Sequence, residues 1–221
     1  MEDMLWKFPH VGQQIFKKLS NKNLAKSKKV ARNWEHFIIN ENFYKQKVYY
    51  ENKQKKKDQF ENTTLHEAAK DGKFLECKLI IDHVEDKNPQ DLNGCTPLHL
   101  AAKNGHLSVC QVIINNVKDK NPHGGKFGLG DTPLHLAAKY GHIAICQLII
   151  ENVQDKNPKN IDGLTPLHEA ALKGHFEILK LIIDVVNDKN PAMKNGITPL
   201  RLAECFGYQQ IVNYIRAKIE E

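Results

Sequence analysis

The tetrapeptide Thr-Pro-Leu-His occurs three times, at Thr96 to His99, Thr132 to His135 and Thr165 to His168. Degenerate copies flank the three: Thr63-Thr64-Leu65-His66 before them and Thr198-Pro199-Leu200-Arg201 after. The first threonines of successive copies stand 33, 36, 33 and 33 residues apart. A period of this length marks a stack of like units, each too small to bury its apolar face except against its neighbours.

The second copy shows what a unit contains. Thr96 is placed to cap free backbone N–H groups, and Pro97 suits the first turn of a helix. Leu98, Ala101 and Ala102 form the inner side of that helix, where alanines let adjacent helices approach closely. Gly105-His106 makes a turn, and Leu107, Val109, Cys110, Ile113 and Ile114 then recur at helical spacing. Asp119-Lys120-Asn121-Pro122 breaks the second helix and opens a turn-rich stretch ending at Gly130, the counterpart of Gly94. Each unit reads as helix, turn, helix and projecting hairpin.

Over residues 62–221 this pattern resembles the ankyrin-repeat family: the period, Thr-Pro-Leu-His, Ala-Ala and Gly-His agree in register. The resemblance implies an all-α ankyrin-repeat solenoid of five repeats, starting near residues 62, 95, 131, 164 and 197, and a role in binding rather than catalysis. The outer repeats are degenerate. Gly72-Lys73 replaces Gly-His in the first, while Arg201, Glu204 and Arg216 replace a histidine, an alanine and an isoleucine in the last, giving it the polar face of a cap. The family usually has Gly-Ala at the end of the second helix, whereas Val84, Val117, Val153 and Val186 fill the glycine slot here. Valine resists positive φ, so another helix ending is expected, such as one more turn before Asn-Pro. The hairpin before Asp131 holds three extra residues within His123 to Gly130, read either as part of a binding face or as drift in a tolerant loop.

Charge divides the chain. Residues 1–61 hold 14 Lys/Arg against 7 Asp/Glu, a net +7, whereas the remaining residues carry a net −1. In the basic part, Ile15, Phe16 and Leu19 form one apolar stripe, and Val30, Trp34, Phe37 and Ile38 another. Three short helices in so few residues make too small a core to stand alone. Phe8-Pro9, Ile15-Phe16 with Leu19, Asn23-Leu24, Val30-Ala31-Arg32-Asn33-Trp34 and Phe43-Tyr44 follow the order of an F-box, and the segment resembles that family. Phe8, Asn23 and Ala31 depart from its leucine, aspartate and cysteine. The resemblance implies that Phe8, Pro9, Ile15, Phe16, Leu19, Leu24, Val30 and Trp34 dock on the acidic adaptor of an SCF-type (cullin–RING) ubiquitin ligase. The domain plan is an F-box-like module over 1–50, a basic linker over 51–61 and the repeats over 62–221. A second reading makes the first fifty residues a helical cap whose lysines are a solvated face. A third is a nucleic-acid-associated regulator using Lys17, Lys18, Lys28, Lys29 and Arg32. The run Lys53, Lys55, Lys56 and Lys57 reads as linker or as a nuclear-import or nucleic-acid patch.

Some constellations imitate chemistry. His106 with Cys110 and His142 with Cys146 have the i, i+4 spacing of metal ligands. Yet Cys77, Cys110 and Cys146 share a slot that Leu179 fills in the next repeat, and a slot that takes leucine is a core slot. His66, His99, His135 and His168 recur periodically, whereas a catalytic triad needs convergent groups. Their recurrence suits hydrogen bonds tying one repeat to the next. Neither cofactor nor metal is expected.

In ankyrin proteins the contact face is the concave one, built from hairpin tips and the exposed ends of first helices. Carried over, it comprises Leu92, Asn93, Lys103 and Asn104; Phe127, Leu129, Asp131, Lys139 and Tyr140; Ile161, Asp162, Leu172 and Lys173; and Lys194, Asn195 and Phe206. Tyr140, Phe206 and Phe127 are the expected anchors. The partner would be a protein substrate. Five cysteines, an odd number, no apolar run near the roughly 18 residues of a membrane span and no signal-peptide pattern at the start place the chain in the cytoplasm or nucleus as an expectation.

Overall fold

In a computed structural model, residues 64–124 and 130–221 are described. The chain divides into two units, Met1–Tyr50 and Glu51–Glu221, and every described residue belongs to the second. The described residues form ten helices and no strand: α1 Thr64–Lys70, α2 Phe74–Ile81, α3 Pro97–Asn104, α4 Leu107–Asn116, α5 Pro133–Tyr140, α6 Ile143–Asn152, α7 Pro166–Lys173, α8 Phe176–Ile183, α9 Pro199–Cys205 and α10 Gln209–Glu220. The odd-numbered helices pack in sequence as one layer and the even-numbered ones as a second. This is the all-helical solenoid that the period demands.

Between the layers lies a repetitive core. Leu65, Leu98, Leu134 and Leu167 are buried, as are the alanine pairs from Ala68-Ala69 to Ala170-Ala171. Methyl-sized side chains at those pairs let the helices of the first layer approach closely. The second layer contributes Ile80, Ile113, Ile149 and Ile182, all buried, each stabilising the fold by roughly 1.5–3 kcal/mol. Cys77, Cys110 and Cys146 are completely buried beside them, and burial pushes each thiol up to about 12. They are small hydrophobes, the opposite of activated nucleophiles.

One side chain per repeat carries the polar coupling. In His99, Nδ1 accepts from the Thr96 backbone N–H at 3.1 Å and lies 2.9 Å from the Thr96 hydroxyl. Its Nε2 donates to the Asp131 carbonyl of the next repeat at 3.0 Å. His135 repeats the arrangement with Thr132 and Leu164, and His168 with Thr165 and Ile197. His66 reaches the Cys95 carbonyl at 2.9 Å. Threonine and histidine thus cap the helix as a reciprocal pair, where the sequence suggested threonine alone. Because a carbonyl only accepts, the proton sits on Nε2, and Nδ1 must be bare to meet the threonine N–H. Each imidazole is therefore neutral.

A second histidine set faces the other way. His106, His142 and His175 donate from Nε2 to the carbonyls of Lys70, Lys103 and Lys139 in the preceding repeat, at 2.9, 3.0 and 3.2 Å. These rings stand against the turn glycines. Gly105 has φ of 79° and ends α3, and a Cβ there would meet the His142 ring at 2.7 Å. Glycine is needed for both its backbone and its missing side chain.

Two of the second helices end in an extended valine rather than an added turn. Val117 and Val153 are extended, with φ of −114° and −123°, so no further turn is added and no positive φ is required. Asn116 and Asn152 fold back from these helix ends onto the Val112 and Leu148 carbonyls, both at 2.9 Å. In the Asp-Lys-Asn-Pro tetrapeptide that follows, Asp119 accepts from the Asn121 N–H at 3.1 Å, and the Asn121 side chain accepts from Leu134 N–H at 3.0 Å. Asn88, Asn157 and Asn190 do the same for Leu98, Leu167 and Leu200. An asparagine ten or more residues upstream thereby satisfies a free N–H at the start of α3, α5, α7 and α9.

In the last repeat two departures meet. Glu204 and Arg216 pair at 2.8 Å, and Glu204 also lies 3.5 Å from Arg201. The two residues that break the apolar pattern thus neutralise each other on that outer face.

Two outcomes are expected. Burial pushes His99, His135 and His168 down to about 4, below the unfolded value of about 6.5. Their contribution is therefore complete above pH 6.5 and is lost as pH falls towards 4, at up to about 1.4 kcal/mol per pH unit for each histidine. Urea midpoints should fall across that window, and three imidazole NMR signals should remain unprotonated at about pH 5.5. Gly105→Ala should cost roughly 2–4 kcal/mol, whereas Gly207→Ala, at φ 73° with nothing within 4 Å, should cost roughly 1–2 kcal/mol; equal urea shifts would contradict the steric account.

Candidate protein-binding surface

The hairpin loops are held by backbone and side-chain bonds together. Asp91 N–H donates to the Cys95 carbonyl at 2.8 Å, and Gly94 N–H returns to the Asp91 carbonyl at 2.9 Å. The Asp91 carboxylate accepts from the Asn93 and Cys95 N–H groups, both at 2.8 Å. Asn160 takes the same position two repeats on, accepting from Asp162 and Leu164 at 3.0 Å. Its amide supplies one bond that an aspartate lacks: Nδ2 donates to the Asp131 carboxylate at 2.7 Å. Asp162 is in turn tied by its carbonyl to Lys194 N–H at 2.9 Å. Successive loops are thus bridged as well as individually folded.

These loops and the first helices carry the residues expected to bind. Leu92, Asn93, Ile161, Lys194 and Asn195 are exposed at the loops, and Asp162 is half-buried. Lys103, Asn104, Tyr140, Lys173 and Phe206 are exposed at or just beyond the ends of first helices, with Lys139 and Leu172 half-buried. Phe206 is 56% exposed and stacks on Tyr208 at 6.2 Å. Some of the set are committed within the protein. Asp131 holds Asn160, Asn195 accepts from Ile197 N–H at 3.1 Å, and Asn104 donates to the Lys70 carbonyl at 3.3 Å. Leu164 and Ile197 are half-buried, and their carbonyls receive the relay histidines. Phe127 and Leu129 lie outside the described residues. So do Phe8, Pro9, Ile15, Phe16, Leu19, Leu24, Val30 and Trp34.

One pair was not anticipated. Glu169 occupies the slot of Leu100 and Leu136, is only 3% exposed, and holds the Lys139 ammonium at 3.2 Å. Burial pushes the Glu169 carboxyl up, against the pull of Lys139. For Lys139, burial lowers the ammonium while Glu169 raises it, and the net shift is upward. Lys139 is therefore a fixed charge on this face. Its neighbour Lys103 lies 5.8 Å from the centre of the Tyr140 ring, a cation–π arrangement that holds the ring in place.

The constellations that imitate metal sites are occupied otherwise. His106 and His142 donate to backbone carbonyls, and their cysteine neighbours are in the core. Among the described residues no group of three or more His, Cys, Asp or Glu is arranged to hold a metal ion, and no helix is long and apolar enough to cross a membrane.

A family model described as ankyrin repeats in three copies matches residues 36–123, 65–160, 116–191 and 134–220. The chain belongs to the ankyrin-repeat family. No curated protein shows significant similarity to it. Ankyrin repeats are in general non-enzymatic modules that bind protein partners, and this surface, with exposed aromatic and aliphatic groups on a hydrogen-bonded frame, has the composition for that role. The ankyrin match begins at residue 36, past Trp34, and overlaps the last part of the F-box-like segment.

Asn160→Asp should place two carboxylates together at the loop bridge. It is expected to cost roughly 1–3 kcal/mol near neutral pH, much of it recovered near pH 4 where one carboxylate is protonated. Urea titration at both pH values would test this, and a cost unchanged with pH would count against the bridge.

Proposed function

We propose that this chain is a substrate-recognition subunit of an SCF-type ubiquitin ligase. In this reading the ankyrin face selects a protein substrate, and the N-terminal segment docks on the ligase adaptor. The observation that carries the first half is the exposed set Leu92, Tyr140, Ile161 and Phe206 on a rigid repeat frame. The second half rests on the sequence order from Phe8-Pro9 to Trp34 and on the net +7 of residues 1–61, which suits an acidic adaptor. Catalysis would be positional. The assembled ligase would hold a charged conjugating enzyme near a substrate lysine and raise the effective concentration of the reacting groups, while this chain supplies none of them.

A second reading, a scaffold or inhibitor in which residues 1–50 belong structurally to the array, is favoured by the family match reaching back to residue 36. The two differ in what the apolar residues Phe8, Pro9 and Ile15 serve: an adaptor in the first, the repeats in the second.

The decisive test is a pull-down of the purified chain with the SCF adaptor, at two salt concentrations, alongside Pro9→Ala/Ile15→Asp. Stoichiometric capture that the double variant loses by at least roughly tenfold, with unchanged thermal stability, is the expected result. A well-folded chain that captures no adaptor would leave the scaffold reading.

A further inference from the structure

Five turns join the first helix of each repeat to the second, and together they form one edge of the stack. Two sets of side chains line up there. The first residue of the second helix is Phe74, Leu107, Ile143 and Phe176 in four successive repeats. The first three are exposed; Phe176 is half-buried and meets the Tyr214 ring edge-on at 5.5 Å. The last turn of the first helix carries Lys70, Lys103, Lys139 and Lys173 in the same four repeats. Exposed Tyr140 lies between Lys139 and Ile143 in the chain.

Three of the four lysines lack a direct ion pair within the described residues, although Asp71 lies within the field of Lys70 and Glu169 within that of Lys173. Among the described residues Lys70, Lys103 and Lys173 make no ion pair, while Lys139 is held by buried Glu169. Asp71, the acidic side chain within these turns, is engaged by Lys73 at 3.0 Å. A cation in the last turn is favoured by the helix macrodipole, which accounts for lysine but not for an apolar side chain beside four successive turns. Apolar groups repeated along a basic edge mark a contact surface.

We propose that this edge docks an extended acidic segment of a partner protein, one in which an acidic and an apolar residue recur at every third position. Helices packed side by side lie about 8–10 Å apart. A polyproline-like chain has three residues per turn and rises about 3.1 Å per residue, so every third side chain lies on one face and advances about 9 Å. One acidic residue then meets one lysine per repeat, and one apolar residue meets one of Phe74, Leu107 and Ile143. The proposal rests on the protein-recognition reading of the array and not on the ligase assignment, and it uses a different part of the surface from the hairpin tips.

The test is fluorescence anisotropy of the full chain with a labelled peptide of about five Asp-Leu-Pro triplets. Controls are a peptide of the same length with an Asp-Leu-Pro-Gly period and one with lysine replacing aspartate. The triplet peptide should bind at least roughly tenfold more tightly than either control, weakening as salt rises from about 50 to 300 mM. Lys103→Glu/Lys173→Glu and Leu107→Ser/Ile143→Ser, all at exposed positions, should each weaken it at least roughly tenfold with unchanged circular dichroism. Leu92→Ala/Ile161→Ala, at the hairpins, should leave it unaltered. Equal affinity for the three peptides, or wild-type binding by the edge variants, would overturn the proposal. Association with phosphatidylserine vesicles but not with the triplet peptide would also overturn it, assigning the edge to lipid. Loss of triplet-peptide binding in the Leu92/Ile161 variant would likewise overturn it, placing the segment on the hairpins and leaving the protein-recognition reading standing.

Discussion

The fold depends on an imidazole with no freedom to choose its proton. Each Thr-Pro-Leu-His histidine accepts from its own threonine at Nδ1 and donates to the next repeat at Nε2. One neutral ring thereby caps a helix and joins two repeats. The bond it donates is part-buried, where an unmet carbonyl would cost more than the bond is worth in water. Everything downstream follows from that spacing: the layer of first helices, the closed hairpins and the position of the exposed side chains.

Gly-His histidines complement this relay at the opposite edge. The first set points forward to a hairpin carbonyl, and the second points back to the end of a first helix. Each interface between repeats is therefore held at two separated points, which restrains rotation as well as separation. Tyr208 takes the corresponding place in the last repeat, with its ring against Gly174. Side chains arrayed on such a frame keep their spacing when a partner arrives, and the ordering cost of binding falls mainly on the partner.

Much of this was legible in the sequence, because a repeat shows each decision several times. Leucine in the cysteine slot identified a core position, and the recurrence of histidine identified a coupling residue. The partners of those histidines were not legible, since a backbone carbonyl leaves no trace in side-chain identity. Asn121 was read as part of a helix breaker, although its side chain, like those of Asn88, Asn157 and Asn190, caps the next helix. Recurrence of all four letters of Asp-Lys-Asn-Pro was the available signal. The valine endings were misjudged because the missing positive φ suggested an added turn, whereas an extended residue suffices. Glu169 drew no reading from the sequence, and only its packing beside Lys139 reveals it as buried. The apolar row at Phe74, Leu107 and Ile143 escaped notice, because Leu107 was counted with the helical spacing of its own second helix.

The enlarged hairpin has a closed neck. Gly124 N–H donates to the Asp131 carbonyl at 2.9 Å, His123 donates from Nδ1 to the Gly130 carbonyl at 2.9 Å, and His99 fixes Asp131 from the repeat before. Beyond that neck the next repeat resumes its register despite the three added residues. Since the entropy of closing a loop grows only with the logarithm of its length, the neck is a natural grafting port. A foreign epitope or recognition loop carried between residues 124 and 130 would be displayed on the array without disturbing the helices on either side.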